Sequence, residues 1–192
     1  MTSKSFLTAL SPIEFRHDDP DGTIAAIKTV LLTHEQENSP FRNCPMAHMV
    51  RLQVIDQLTP PMGDVSGASL KSRYLLFVAD IDGSVDDFLD CLYRVNPEFV
   101  RSVWGRCLGY PGYDAAVFFR RYIHRCQFNN PLGYAGFPES VEDILGALRK
   151  KHLLAEWIAA HQGLDAASLQ QAWQQSRASF IRPDTAKPGS LK

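Results

Sequence analysis

Apolar positions along this chain recur at two spacings, and the changes between them mark the elements. Phe6, Leu7, Ala9, Leu10 and Ile13 predict a first strand over 5–13, ended by Pro12 and the polar stretch to Asp21. Ile24, Ile27, Val30 and Leu31 then recur at helical spacing, in a helix that starts near Asp21 or Thr23, both good N-caps. It stops before Asn38-Ser39-Pro40, and a strand over 47–57 follows. Thr59 to Leu70 holds Pro60, Pro61, Gly63, Ser66 and Gly67 and reads as a loop. A strand over 73–81 runs into Asp82-Gly83-Ser84, where Ser84 and Asp87 form a capping pattern ahead of Phe88, Leu89, Leu92 and Tyr93.

Asn96-Pro97 opens a short helix carrying Phe99, Val100, Val103 and Trp104. After the turn at Gly109 to Gly112, Asp114 is expected to cap a helix through Cys126, with Val117, Phe118 and Tyr122 buried. Leu132 to Phe137 is expected to form a short strand. Helices follow from Ser140, which repeats the capping pattern with Asp143, then over Leu153–Ala160 and Leu169–Phe180, before a polar tail from Arg182. The order is βαββαβ, that of a ferredoxin-like α+β fold with an enlarged helical crossover and a C-terminal helical extension. The expected division is a domain over 1–160 and a helix and frayed tail over 161–192.

Alternation assigns faces. His48, Val50, Leu52 and Val54 share one side of their strand and belong under the helices, while Met49, Arg51, Gln53 and Ile55 face the other way. In the next strand both rows, Tyr74, Leu76, Val78, Asp80 and Arg73, Leu75, Phe77, Ala79, are mostly apolar, which predicts cover on both faces. That cover would come from a second copy, giving a homodimer through the sheet face, or from the C-terminal helices.

Composition narrows the picture. At 192 residues, 45% hydrophobic and 21% charged, the chain can bury a sizeable core. A net charge of -1 offers no attraction for nucleic acid or an anionic membrane. No run approaches the roughly 20 apolar residues of a membrane span, and a cytoplasmic location is the expectation. Cys44, Cys91, Cys107 and Cys126 contain no CxxC pair and read as buried free thiols.

Several motifs recur together in one known group: Leu10-Ser11-Pro12-Ile13, His48-Met49-Val50-Arg51, Leu75-Leu76-Phe77 with Asp82-Gly83, Gly109-Tyr110-Pro111, and Tyr134 to Pro138. In this HxxR…LLFxxxxDG…GYP…YP pattern the chain resembles, over about residues 6–150, poorly characterised ferredoxin-like proteins of the dimeric α/β-barrel superfamily. These are distantly similar to dye-decolourising peroxidases and small monooxygenases. Ala47 departs from the group's Thr, Met49-Val50 from Phe-Ala, and Arg106 from a frequent His. The resemblance implies the fold and a leaning toward oxidative chemistry, with haem as one cofactor option and Asp82 as the residue that would move a peroxide proton.

The candidate residues follow from both readings. Arg51, Asp82 and His48 are the catalytic candidates, with a guanidinium suited to a carboxylate or oxidised ligand. Arg51 could instead pair with Asp80 or Asp82, His48 could anchor the preceding loop, and Asp82-Gly83 could be a plain turn. Gln53, Tyr74 and Asp80 would line the substrate cavity. If haem is used, His124 is the leading axial-ligand candidate and Arg121 sits beside it to meet a propionate, although this basic stripe could equally be a solvated helix face. Three functions remain open: an oxidative enzyme acting on a small organic substrate, a non-catalytic binder of a hydrophobic acid, and an accessory subunit of an oxidative complex.

Overall fold

Every second residue of Lys4–Pro12 (β1) is apolar or small, and this row, Leu7, Ala9 and Ser11, is buried. The computed structural model describes residues 3–19, 21–34, 38–57, 69–129, 133–134 and 136–181. β1 pairs antiparallel with Ser69–Asp82 (β3), which pairs antiparallel with Ala47–Gln57 (β2), giving a three-stranded sheet in the order β1-β3-β2. The chain passes from β1 to β2 through the helix Gly22–Leu32 (α1), whose Ile24 and Ile27 are buried. A turn of 3-10 helix at Pro40–Asn43 then leads into β2.

After β3 come helices Val85–Val95 (α2), Pro97–Trp104 (α3) and Ala116–Cys126 (α4). Their apolar stripes meet the buried row of β3, Leu75, Phe77, Ala79 and Ile81. At the centre, Trp104 meets Phe77 and Phe119 edge-to-face, with ring centroids 5.2 and 5.0 Å apart, and Phe88 stacks on Phe77. Each such side chain contributes about 1.5–3 kcal/mol of transfer free energy by leaving water. This is the core that makes the sheet face under the helices non-negotiable.

Contacts divide the chain into two compact units, Met1–Pro138 and Glu139–Lys192. The second contains Val141–Ala160 (α5) and Ala166–Ile181 (α6). Ser140 caps α5 by accepting from Asp143 N, and Asp143 bonds back to Ser140 N, completing the capping box. Trp157 stacks on His161, meets Trp173 edge-to-face and donates to Ser176 Oγ at 3.0 Å.

The α+β class stands, but several sequence expectations change. Of the expected strand over Leu132 to Phe137, Leu132 and Ala135 lie outside the described residues, and Gly133, Tyr134, Gly136 and Phe137 belong to no strand. The reason lies at the outer edge of β1. Gln127 bridges Ala9 and Phe128 N donates to Thr8 O at 2.8 Å, so the edge a fourth strand would use is taken by the segment leaving α4. Asp114 does not cap α4; its carboxylate accepts from Tyr93 Oη and Arg101 Nη1, both at 2.5 Å. Val117 is exposed and Phe119 takes the buried place, because the helix begins two residues beyond Asp114. β3 includes Ser69 and Leu70, expected as loop, and the two helices read over 140–148 and 153–160 form one, α5. All four cysteines are free; Cys44, Cys91 and Cys107 are buried and Cys126 partly so. Among the described residues no helix is long and apolar enough to cross a membrane.

Candidate functional site

The side chains that converge come from one end of all three strands. Lys4 of β1 stands opposite Asp82 of β3 on the sheet face turned away from the helices. Regular alternation would put His48 on the helix side with Val50 and Leu52. The register instead shifts between Ala47, which pairs with Ile81, and Met49, which pairs with Asp80. His48 is the extra residue of this β-bulge, and the bulge re-aims it onto the outer face.

There, His48 Nε2 lies 2.9 Å from Asp82 Oδ1, and Lys4 Nζ donates to the same oxygen at 2.8 Å while also contacting His48 Nε2. The three side chains are 13%, 14% and 10% exposed for Lys4, His48 and Asp82. Nε2 can meet Asp82 Oδ1 only as a donor and the Lys4 ammonium only as an acceptor, so the tautomer that bonds to the carboxylate carries its proton on Nε2 and gives up the bond from Lys4. The lone pair then falls on Nδ1, which hydrogen-bonds to no described residue. The frame behind the cluster is rigid: Asp82 N donates to Met46 O, Gly83 N to Ser3 O and Ser5 Oγ to Gly83 O. Gly83, at φ 84°, makes the turn that a side-chain-bearing residue would strain. Ser84 then caps α2 by accepting from Asp87 N at 3.0 Å.

On the same face lies a cavity of about 250 Å³ lined by Phe6, Thr8, Met49, Val78, Asp80 and Tyr134 among others. Gly133 is also in its wall, and a Cβ there would overlap the Phe6 ring. Asp80 Oδ1 is shielded from solvent, and no described residue donates to it.

The structure brings together His48 and Asp82, with Asp80 on the same sheet face, and separates the other candidates from them. Arg51 is exposed and donates to Gln53 Oε1 at 2.6 Å, so neither pairs with an aspartate and neither lines the cavity beside Asp80. Tyr74 lies toward the opposite end of β3, in a second cavity of about 380 Å³ with Arg73 and Phe15. Arg121 is on an exposed part of α4. His124 is 43% exposed, with Nε2 2.6 Å from Asp86 Oδ1 and Nδ1 2.9 Å from Gln127 Oε1. Both ring nitrogens are engaged at a polar surface, so His124 does not fit an axial haem ligand. Among the described residues no group of three or more His, Cys, Asp or Glu is placed to hold a metal ion.

Cys44 and Cys107 are poor nucleophiles here. Burial pushes Cys107 up to about 12, and burial with the Cys91 thiol beside it raises Cys44 further. Sequence reasoning missed Lys4, Phe6 and Tyr134, and put Met49 on the outer face without naming it as a site residue. Lys4 carries no local signal, since only the register places it against Asp82. Compared with protein-family models, curated proteins and solved structures, the chain gives no match.

Proposed function

We propose that this protein is an oxidative enzyme acting on a small organic substrate, with His48 as its proton-transfer group. The observation that carries the reading is the His48–Asp82 hydrogen bond, with Lys4 on the same carboxylate oxygen, on the sheet face that also holds the Asp80 cavity. A carboxylate that holds imidazole Nε2–H orients the ring, directs basicity to Nδ1 and stabilises the imidazolium formed when a proton arrives. In a two-electron oxidation the substrate loses two protons, the first to His48 Nδ1 and the second to solvent, and two electrons, which with two protons reduce dioxygen from solution to hydrogen peroxide, or hydrogen peroxide to two waters. No step passes through haem. The oxidative direction comes from the resemblance to the dimeric α/β-barrel superfamily; the strand order β1-β3-β2 with α1 joining two parallel strands supports a ferredoxin-like arrangement. Arg51, being exposed, takes no part.

The test is oxidant consumption by the purified chain, with dioxygen followed by electrode and hydrogen peroxide by absorbance, across a panel of one-ring phenols, anilines and benzylic amines. Turnover that falls at least about a hundredfold in His48→Gln supports the assignment, in line with the size of general-base contributions. No consumption of either oxidant over the panel, or equal turnover in His48→Gln, overturns it.

A second reading, a non-catalytic small-molecule binder, is favoured by one fact: the cavity wall contains Asp80 and Met49 but none of Lys4, His48 and Asp82. Saturable binding without turnover would select it.

A further inference from the structure

We propose that the cavity beside Asp80 binds a one-ring organic cation, with its ammonium group on the Asp80 carboxylate and its ring against Phe6, Met49 and Tyr134. For calling that cation a substrate, the inference rests on the enzymatic reading above; for binding, it stands on the cavity alone.

Asp80 carries the argument. Its Oδ1 is shielded from solvent with no donor from any described residue, and an acceptor taken out of water without a partner is costly. The cations nearest along the sheet are committed elsewhere, Lys4 to Asp82 and Arg51 to Gln53. Oδ1 is closed to any donor the size of water, so a ligand in the cavity meets the carboxylate at its other oxygen, and a cationic donor does so best, because charge-assisted bonds are about twice as strong as neutral ones. An anionic ligand in the same place would meet the Asp80 carboxylate, with no cationic side chain among the described residues of the cavity wall to offset it.

The walls agree with the charge. Phe6 and Tyr134 put aromatic side chains in the wall, a type that attracts cations, and the Met49 thioether is suited to pack against an aromatic ring. Thr8 adds a hydroxyl to a lining whose other polar side chains are Asp80 and Tyr134. The volume of about 250 Å³ falls under the roughly 300–1,000 Å³ of pockets for larger drug-sized ligands, which limits the occupant to a single ring with a short arm. Gly133 lies against the Phe6 ring so closely that a Cβ there would overlap it, so a substitution would displace that wall of the cavity.

The experiment titrates the full chain with benzylammonium, benzyl alcohol and benzoate by calorimetry. Benzylammonium is expected to bind saturably, benzyl alcohol at least about tenfold more weakly for want of charge assistance, and benzoate not at all. Asp80→Asn and Gly133→Ala should each weaken benzylammonium at least about tenfold while leaving the thermal transition in place. Equal binding of the alcohol and the ammonium, binding unchanged in Asp80→Asn, or no saturable binding of benzylammonium would each overturn the proposal. The ligand comparison is made on the unaltered chain, so it decides even where a variant fails to fold. His48→Gln separates the two readings: it should bind benzylammonium as the parent does. Benzylammonium bound but never oxidised would sink its role as a substrate; oxidation of other molecules without benzylammonium binding would sink the cation site and spare the enzyme.

Discussion

Asp82 Oδ1 sits 2.9 Å from His48 Nε2 across thirty-four residues of chain, and the β-bulge at Ala47/Met49 is what makes the meeting possible. With Lys4 on the same oxygen, the carboxylate ties all three strands together at one end of the sheet.

Asp82→Ala leaves the ammonium of Lys4, only 13% exposed, without its carboxylate. A cost of about 2–4 kcal/mol is expected, between that of a lost charged hydrogen bond and that of a broken buried pair. Urea unfolding measures it. A change within about 0.5 kcal/mol, the range of ordinary surface substitutions, would mean that the cluster does not hold the strand ends.

Asp114 governs part of the acid limb of stability. The Tyr93 hydroxyl hydrogen bond, followed by the Arg101 guanidinium, holds its carboxyl below the ordinary carboxylate range. A lowered folded value means stability that is fully present above the unfolded carboxylate value and is lost as pH falls through the folded one. Asp114→Asn should therefore lower the urea midpoint at neutral pH and flatten its decline below about pH 4. Parallel pH profiles for parent and variant would refute this.

Tyrosine titration reports the alkaline limb. Burial pushes Tyr110 up to about 12, and burial also raises Tyr122, whose neighbours include the Cys107 and Cys126 thiols. Both groups stay protonated in the folded chain past the usual phenol value near 10, so their stabilising contribution is complete below that value and disappears as pH rises through the folded one. Phenolate absorbance should accordingly show a delayed fraction that appears together with loss of the near-ultraviolet circular dichroism. A single titration of all six tyrosines near pH 10 in still-folded protein would contradict it.

Core substitutions should divide sharply along α4 and β3. Phe77→Ala, at a fully buried side chain packed on Phe41, Phe88 and Trp104, is expected to cost about 3–5 kcal/mol. Val117→Ala, at an exposed site, should stay within about 0.5 kcal/mol. Comparable losses at both positions, read from denaturant midpoints, would place the hydrophobic face of α4 wrongly.

Much of this was legible in the chain itself. The apolar runs of β1 and β3, the alternation in β2 and the helical stripes of α2 and α3 are local, because side-chain periods of 2 and 3.6 follow from backbone geometry alone. The caps at Ser84 and Ser140 were legible for the same reason: each hydroxyl acts on a backbone N–H three residues on. Asp114 looked like a cap of the same kind, yet Tyr93 and Arg101, contributed by other helices, compete for its carboxylate. The aromatic run near Tyr134 looked like a strand, yet a strand needs an edge to pair with, and Gln127 and Phe128 hold the edge of β1.

For the site the division is the same. His48, Asp80 and Asp82 were visible as polar residues in otherwise apolar strands, and that much the sequence determined by itself. A pattern of alternation assumes unbroken pairing, and it put His48 on the helix face; tertiary structure decided otherwise by inserting one residue into the ladder. Lys4 joins the cluster, and Arg51 leaves it, because cross-strand register sets which side chains meet, and register arises only when three separate segments bury one common apolar face.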